Sequence, residues 1–142
     1  MKTIGLIGGT SWVSSAEYYR IINAEINRRL GGLNSARCIL YSINLADFDE
    51  KINREKKQDA SNLFINAAKN LENSGADCIL LCSNTIHVYA DQIKNSVNIP
   101  LIHIAEITAN AIRKKQIAKS DYLALKLPWN INITETKWRK RK

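Results

Sequence analysis

The chain has 142 residues, 45% hydrophobic and 24% charged, the size and composition of a single soluble globular domain with enough length to bury a core. Its formal net charge is +8, but residues 121–142 carry six Lys/Arg against two acids and residues 1–120 carry 15 against 11. Half the excess therefore sits in a short C-terminal stretch, which argues against a nucleic-acid surface, and no apolar run approaches the roughly 20 residues that cross a bilayer.

Thr3-Ile4-Gly5-Leu6-Ile7 reads as a first strand, entered directly from Met1 without a secretory pattern. Gly8-Gly9-Thr10-Ser11 is a loop that lets backbone approach a ligand closely. Ser14 with Glu17 has capping-box spacing, and Tyr19, Ile22, Ile26 and Leu30 recur at helical intervals until Gly31-Gly32 stops the helix. Cys38 to Ile43 is a second strand, and a charged loop from Asp47 to Lys57 leads to a second helix with Leu63, Ala67 and Leu71 on one face, closed by Gly75. The apolar run Cys78-Ile79-Leu80-Leu81 has the pattern of a strand buried on both faces of a parallel sheet. It breaks into Cys82-Ser83-Asn84-Thr85, followed by an amphipathic segment from Ile86 to about Ser96. Ile99 to Ile104 is a fourth strand, and a fourth helix runs from Glu106 to about Lys115.

Four strand-then-helix units predict an α/β fold, a flavodoxin-like parallel sheet with helices on both faces. In such sheets ligands lie at the carboxyl edge of the strands. The loops Gly9-Thr10-Ser11 and Ser83-Asn84-Thr85 fall there, and the free amides of a helix start suit a carboxylate or phosphate. Blander readings stand beside this one. Gly5-x-x-Gly8-Gly9 lacks the dinucleotide fingerprint and is equally a tight turn, and Ser83-Asn84-Thr85 is equally an N-cap cluster. His87 and His103 read as structural. Cys38, Cys78 and Cys82 lie in strand-like runs, which predicts buried thiols in a reducing, cytoplasmic compartment. No Cys/His spacing resembles a zinc site.

Two strings go further. Met1 to Trp12 with Glu17-Tyr18-Tyr19-Arg20, and Gly75-Ala76-Asp77 leading into Leu81-Cys82-Ser83-Asn84-Thr85-Ile86-His87, resemble the aspartate/glutamate racemase family. Arg29-Leu30-Gly31-Gly32-Leu33 and Ile99-Pro100-Leu101-Ile102-His103-Ile104-Ala105 agree with it, so the resemblance covers residues 1 to about 119. It implies a cofactor-independent racemase of two similar α/β halves, acting on an acidic amino acid held between them. One group removes the Cα proton from one face and a second returns a proton to the other. Loop amides near Gly9, Thr10, Asn84 and Thr85 would hold the substrate carboxylates.

Three departures shape the expectation. Ser83 stands where the family commonly has its acid/base cysteine, with Cys82 one position earlier, so catalytic work falls to Ser83 or Cys82. A hydroxyl is much the poorer base. Thr10 stands where the nearest relatives carry Met. The family's second half has no counterpart here. Residues 1–119 are read as one racemase-type half-domain and residues 120–142 as an irregular basic tail with Trp129 and Trp138. One choice of codons for 120–130, read in a shifted frame, gives Ile-Gly-Leu-Leu-Gly-Thr, similar to the family's continuation, so the tail is read as out-of-frame. The expectation is a racemase fragment with little activity alone and no cofactor, metal, membrane or nucleic-acid partner. A homodimer would be its way of replacing the missing half. The competing expectation is a module that binds a small carboxylate without chemistry.

Overall fold

The structure is a computed structural model that describes residues 1–53 and 57–114. The elements are β1 (Thr3–Gly8), α1 (Trp12–Leu30), β2 (Arg37–Ser42), α2 (Leu45–Asn53), α3 (Lys57–Asn73), β3 (Cys78–Leu81), a 3-10 turn (Thr85–Tyr89), α4 (Ala90–Lys94), β4 (Leu101–Ile102) and α5 (Ile104–Lys114). They divide into two compact units, Met1–Ile102 and His103–Lys142. The tail from 120, its tryptophans and the expected boundary at 119/120 lie outside the described residues.

The first unit holds a four-stranded, wholly parallel sheet in the order β2-β1-β3-β4. The chain steps from β1 outward to β2, then crosses back over β1 to β3 and on to β4. Because crossovers between parallel strands are right-handed, reversing the direction of travel puts the connecting helices on opposite faces. Two glycines of β1 display this. A Cβ on Gly5 would touch Leu71 of α3 at 3.2 Å, whereas one on Gly8, three residues on and so on the other face, would meet Ser15 of α1. This is the winding of a flavodoxin-like sheet, as expected.

The core lies on the α3 face. Ile7, Ile79 and Leu81 project there against Ala60, Phe64, Ala67, Ala68 and Leu71 of α3 and Ala90 and Ile93 of α4, all buried. Small residues at 60, 67 and 68 let α3 sit close to the strands, while Phe64 fills the space between. Phe64 stacks on Tyr89 with centroids 5.3 Å apart and meets Phe48 of α2 edge-on at 5.1 Å. On the α1 face Leu6 and Cys82 are fully buried, but Ile4, Cys38, Cys78 and Leu80 are half-buried and Leu40 is exposed.

Several local expectations are corrected. The N-cap of α1 is Ser11, whose Oγ accepts the Ser14 amide at 3.3 Å; Glu17 makes an ion pair with Arg20 instead of a capping box. The charged stretch from Asp47 begins as helix, because Phe48 is drawn into the aromatic cluster. The segment after Thr85 is a 3-10 turn before one turn of α-helix, and the fourth strand shrinks to two residues because Pro100 bounds it. Within the second unit, the ring Nδ1 of His103 accepts the Ala105 amide at 3.2 Å, acting as the cap of α5. Glu106 follows in its first turn, where a carboxylate suits the helix dipole.

Truncating Phe64, which has no exposed surface, to alanine is expected to cost about 3–5 kcal/mol, read as a drop in the urea midpoint with an unchanged slope. A loss below about 1 kcal/mol contradicts the packing described.

Candidate functional site

The winding reverses at β1, so the loops that leave β1 and β3 part in opposite directions at the carboxyl edge of the sheet, the place where sheets of this kind form a ligand crevice. Gly8-Gly9-Thr10-Ser11 leaves β1 and Cys82-Ser83-Asn84-Thr85 leaves β3. The ladder joining the two strands extends to the lip of the crevice, where the Cys82 amide donates to the Ile7 carbonyl at 2.9 Å. The loop leaving β2 closes from the other side, its Ile43 amide donating to the Gly8 carbonyl at 2.9 Å.

That approach leaves no space for side chains. Gly9 has φ +92°, and a Cβ there would lie 1.9 Å from the Ile43 carbonyl oxygen. Ser15, 3% exposed, fills the space over Gly8; its Oγ accepts the Gly9 amide at 3.0 Å and donates to the Ser11 carbonyl at 2.9 Å. Ser14 Oγ donates to the Cys82 carbonyl at 2.7 Å. The two serines thus tie the start of α1 to both crevice loops. Sequence reasoning placed Ser14 in a capping box and passed over Ser15. The signal available was a run of hydroxyls, Ser11, Ser14 and Ser15, at the mouth of one helix.

Each expected site residue has a definite place. Gly9 is buried and shapes the loop. Ser11 caps α1, leaving the amides of Trp12 and Val13 in the first turn without intrahelical acceptors. No acidic residue lies in that turn, so the positive end of a 19-residue helix faces the crevice uncompensated. Thr10 is half-buried, and its Oγ1 is out of contact with water and has no hydrogen-bond partner among the described residues. Asn84 is exposed at the head of the 3-10 turn and makes no side-chain cap bond. Thr85 and Ser83 are half-buried.

Ser83 and Cys82 differ sharply. Cys82 has no exposed surface, and burial pushes its thiol up to about 12. Cys38 and Cys78 are half-buried, their thiols also raised by burial. Below the Ser83 loop, the buried His87 directs Nδ1 at the Ser83 carbonyl at 2.8 Å. A carbonyl only accepts, so Nδ1 carries a proton and the ring holds the loop backbone. His87 is therefore a support of the crevice that its sequence position did not reveal. Among the described residues no three His/Cys/Asp/Glu side chains are grouped to hold a metal ion, and no helix is long and apolar enough to cross a membrane.

Ser15→Ala is expected to cost about 1–3 kcal/mol, since it orphans the buried Gly9 amide, and Ser14→Ala only about 1 kcal/mol, since Ser14 itself is only half-buried. Urea titration of both variants gives the order. Alkylation provides a second check: mass spectrometry of the native chain should find Cys82 unmodified while Cys38 and Cys78 react, and all three modified in denaturant.

Comparison with known proteins agrees with this fold. Residues 7–124 match the Asp/Glu/hydantoin racemase family. The chain is 36% identical over 113 residues to the broad specificity amino-acid racemase RacX of Bacillus subtilis, a match covering 77% of this chain and 48% of RacX. The crystal structure of a candidate Asp/Glu racemase from Yersinia pestis superposes with a TM-score of 0.79 at 43% identity, covering 82% of this chain and 50% of that one. An aspartate racemase homologue from Pyrococcus horikoshii OT3 superposes with a TM-score of 0.72 at 37% identity, covering 81% and 50%. The chain spans about half the length of these relatives. It belongs to the Asp/Glu/hydantoin racemase family.

Proposed function

We propose that the crevice between the β1 and β3 loops is one side of an amino-acid racemase site and holds a carboxylate of an acidic amino acid such as aspartate or glutamate. The observation that carries this is the buried, unpartnered Thr10 Oγ1 beside the uncompensated N-terminus of α1. A buried hydroxyl without a partner is costly unless something supplies one, and a carboxylate oxygen accepts from both the hydroxyl and the amides. Gly9 and Ser11 shape that loop, and Asn84 and Thr85 lie in the loop that leaves β3. Holding the α-carboxylate among such donors spreads the negative charge that develops when the Cα proton leaves, and so acidifies that proton.

Inversion then needs two groups. One takes the Cα proton from one face, and the other gives a proton to the opposite face, with no net change in protons or electrons. Ser83, half-buried at the loop, takes one face in this scheme; Cys82 has neither the exposure nor the acidity. No described residue supplies the other face, so little turnover is expected from this chain alone. No cofactor enters this scheme. A second reading, carboxylate binding without chemistry, is favoured by His87, whose Nδ1 is committed to the Ser83 carbonyl and so to holding the loop backbone.

Titration calorimetry with L- and D-aspartate and glutamate, beside chiral chromatography after long incubation, tests both readings. Binding with slow or no inversion is expected. Thr10→Val should leave the free chain at least as stable while weakening binding by about tenfold, the loss of one hydrogen bond to a charged group. Robust racemisation by this chain contradicts the one-sided site; absence of binding to any acidic amino acid contradicts the crevice assignment altogether.

A further inference from the structure

Ser83 stands between two peptide groups, and a side chain from another element holds each of them. The carbonyl of the Cys82–Ser83 peptide accepts from Ser14 Oγ of α1 at 2.7 Å. The carbonyl of the Ser83–Asn84 peptide accepts from His87 Nδ1, in the 3-10 turn, at 2.8 Å. The next carbonyl, that of Asn84, accepts the His87 amide at 3.2 Å. Just before them, the Cys82 amide is fixed on the Ile7 carbonyl at 2.9 Å. Three consecutive carbonyls are therefore tied where the chain is neither strand nor helix.

Holding both peptides fixes the two soft backbone dihedrals of the residue between them, since each peptide is itself planar. Only the side-chain torsion of Ser83 is left to choose. In a trans peptide the C=O and the N–H point opposite ways. With its carbonyls drawn toward Ser14 and the buried His87 ring, the loop turns its Ser83 and Asn84 amides the other way, and neither amide has a protein acceptor among the described residues. The two holding groups are themselves seated. Ser14 lies in the first turn of α1, its own amide on the Ser11 Oγ at 3.3 Å, and Ser15 beside it is bonded to the Gly9 amide. His87 is 5% exposed and belongs to the turn whose last residue, Tyr89, is stacked on Phe64.

We infer that Ser14 and His87 are positioning residues for Ser83: between them they set its backbone before any substrate arrives. Ser14 has a second effect. It joins the Ser83 loop to the turn of α1 that carries the free amides, so the carboxylate end and the proton-handling end of the half-site move as one piece. A group that exchanges a proton with carbon must be held to within about 0.5 Å of its working position, and for a side chain with a single heavy-atom torsion the backbone beneath it decides that position. What the clamp means for racemisation rests on the reading of the crevice proposed above; the clamp itself is a property of the free chain.

Nitrogen-15 relaxation on the full chain reads the clamp at the Ser83 and Asn84 amides. Order parameters near the rigid value of about 0.85 are expected in the unmutated chain, falling to about 0.6 in Ser14→Ala and in His87→Phe, with the amides of α3 unchanged. Ser14→Thr keeps a hydroxyl and His87→Asn keeps an N–H at the place of Nδ1, so both should keep the loop rigid. If His87 only fills space the order reverses, because Phe fills the volume of the ring and Asn does not. Calorimetry with L-aspartate gives a second readout: ordering a loosened loop on binding should weaken affinity roughly three- to tenfold in Ser14→Ala and His87→Phe, and not in the Thr and Asn variants. Amides already mobile in the unmutated chain, or still rigid in both Ser14→Ala and His87→Phe, overturn the inference. So do conservative variants as loose as the disruptive ones, and loosened loops that bind aspartate with unchanged affinity. If the unmutated chain binds no aspartate, the carboxylate reading falls and relaxation alone decides the clamp. If His87→Phe does not fold, Ser14→Ala against Ser14→Thr carries the comparison.

Discussion

There is no room for a side chain at the end of β1, and most of the rest follows from that. With Gly8 bare, Ser15 lies directly over the strand end, where a Cβ would come within 2.4 Å of its hydroxyl. With Gly9 bare and at positive φ, the loop leaving β2 presses its Ile43 carbonyl against the backbone. α1 is therefore anchored one turn from its start, with its first amides pointed at the crevice and Ser14 within reach of β3. A larger residue at either position would push the helix away, and the hydroxyl contacts and the positive helix end would move with it. The crevice is thus built by tight packing of backbone, with side chains filling what remains.

The two faces of the sheet are unequal, for a topological reason. Outward travel occurs once, from β1 to β2, and places one helix; return travel from β2 through β3 to β4 places α2, α3 and α4 on the other face. The crowded face carries the core and the stability. It is also joined to the site, because Tyr89, which ends the turn after the Ser83 loop, is wedged by Phe64 and Phe48. The thin face carries α1 with apolar side chains left over. Parallel sheets are ordinarily covered on both sides, so this surplus is what a fold leaves when one layer is incomplete within the unit.

The elements legible in the sequence were those with one dominant period. β1 and β3 are short apolar runs with turns at each end, and α1 and α3 carry long helical stripes stopped by Gly31 and Gly75. α2 was missed because Asp47, Asp49, Glu50 and Lys51 read as loop, while a single residue, Phe48, carries its packing. The site was half legible: the glycine loop and the Ser83-Asn84-Thr85 loop stand out by composition. The bonds that fix them do not. Ser14 lies 68 residues from Cys82, and only strand order brings the two together. Likewise the alternation of a strand says that Cys82 and Ser83 point opposite ways, but which one enters the core depends on what packs on each face.

That alternation separates two parts of the chemistry. Binding a carboxylate draws on backbone amides and small hydroxyls, which the fold positions without asking for any unusual acidity. Moving a proton off carbon asks for a side chain whose ionised form is populated. A thiol pushed up to about 12 by burial is scarcely ionised near neutrality, and the same burial also keeps substrate away. A serine hydroxyl at the next position is reachable but weaker still unless a base takes its proton. On the proposed reading, the crevice loops hold the electrostatic part of the site, while its proton-handling part calls for groups beyond those found among the described residues. In a reaction that inverts a carbon centre, the opposite face of that carbon is where they would have to stand.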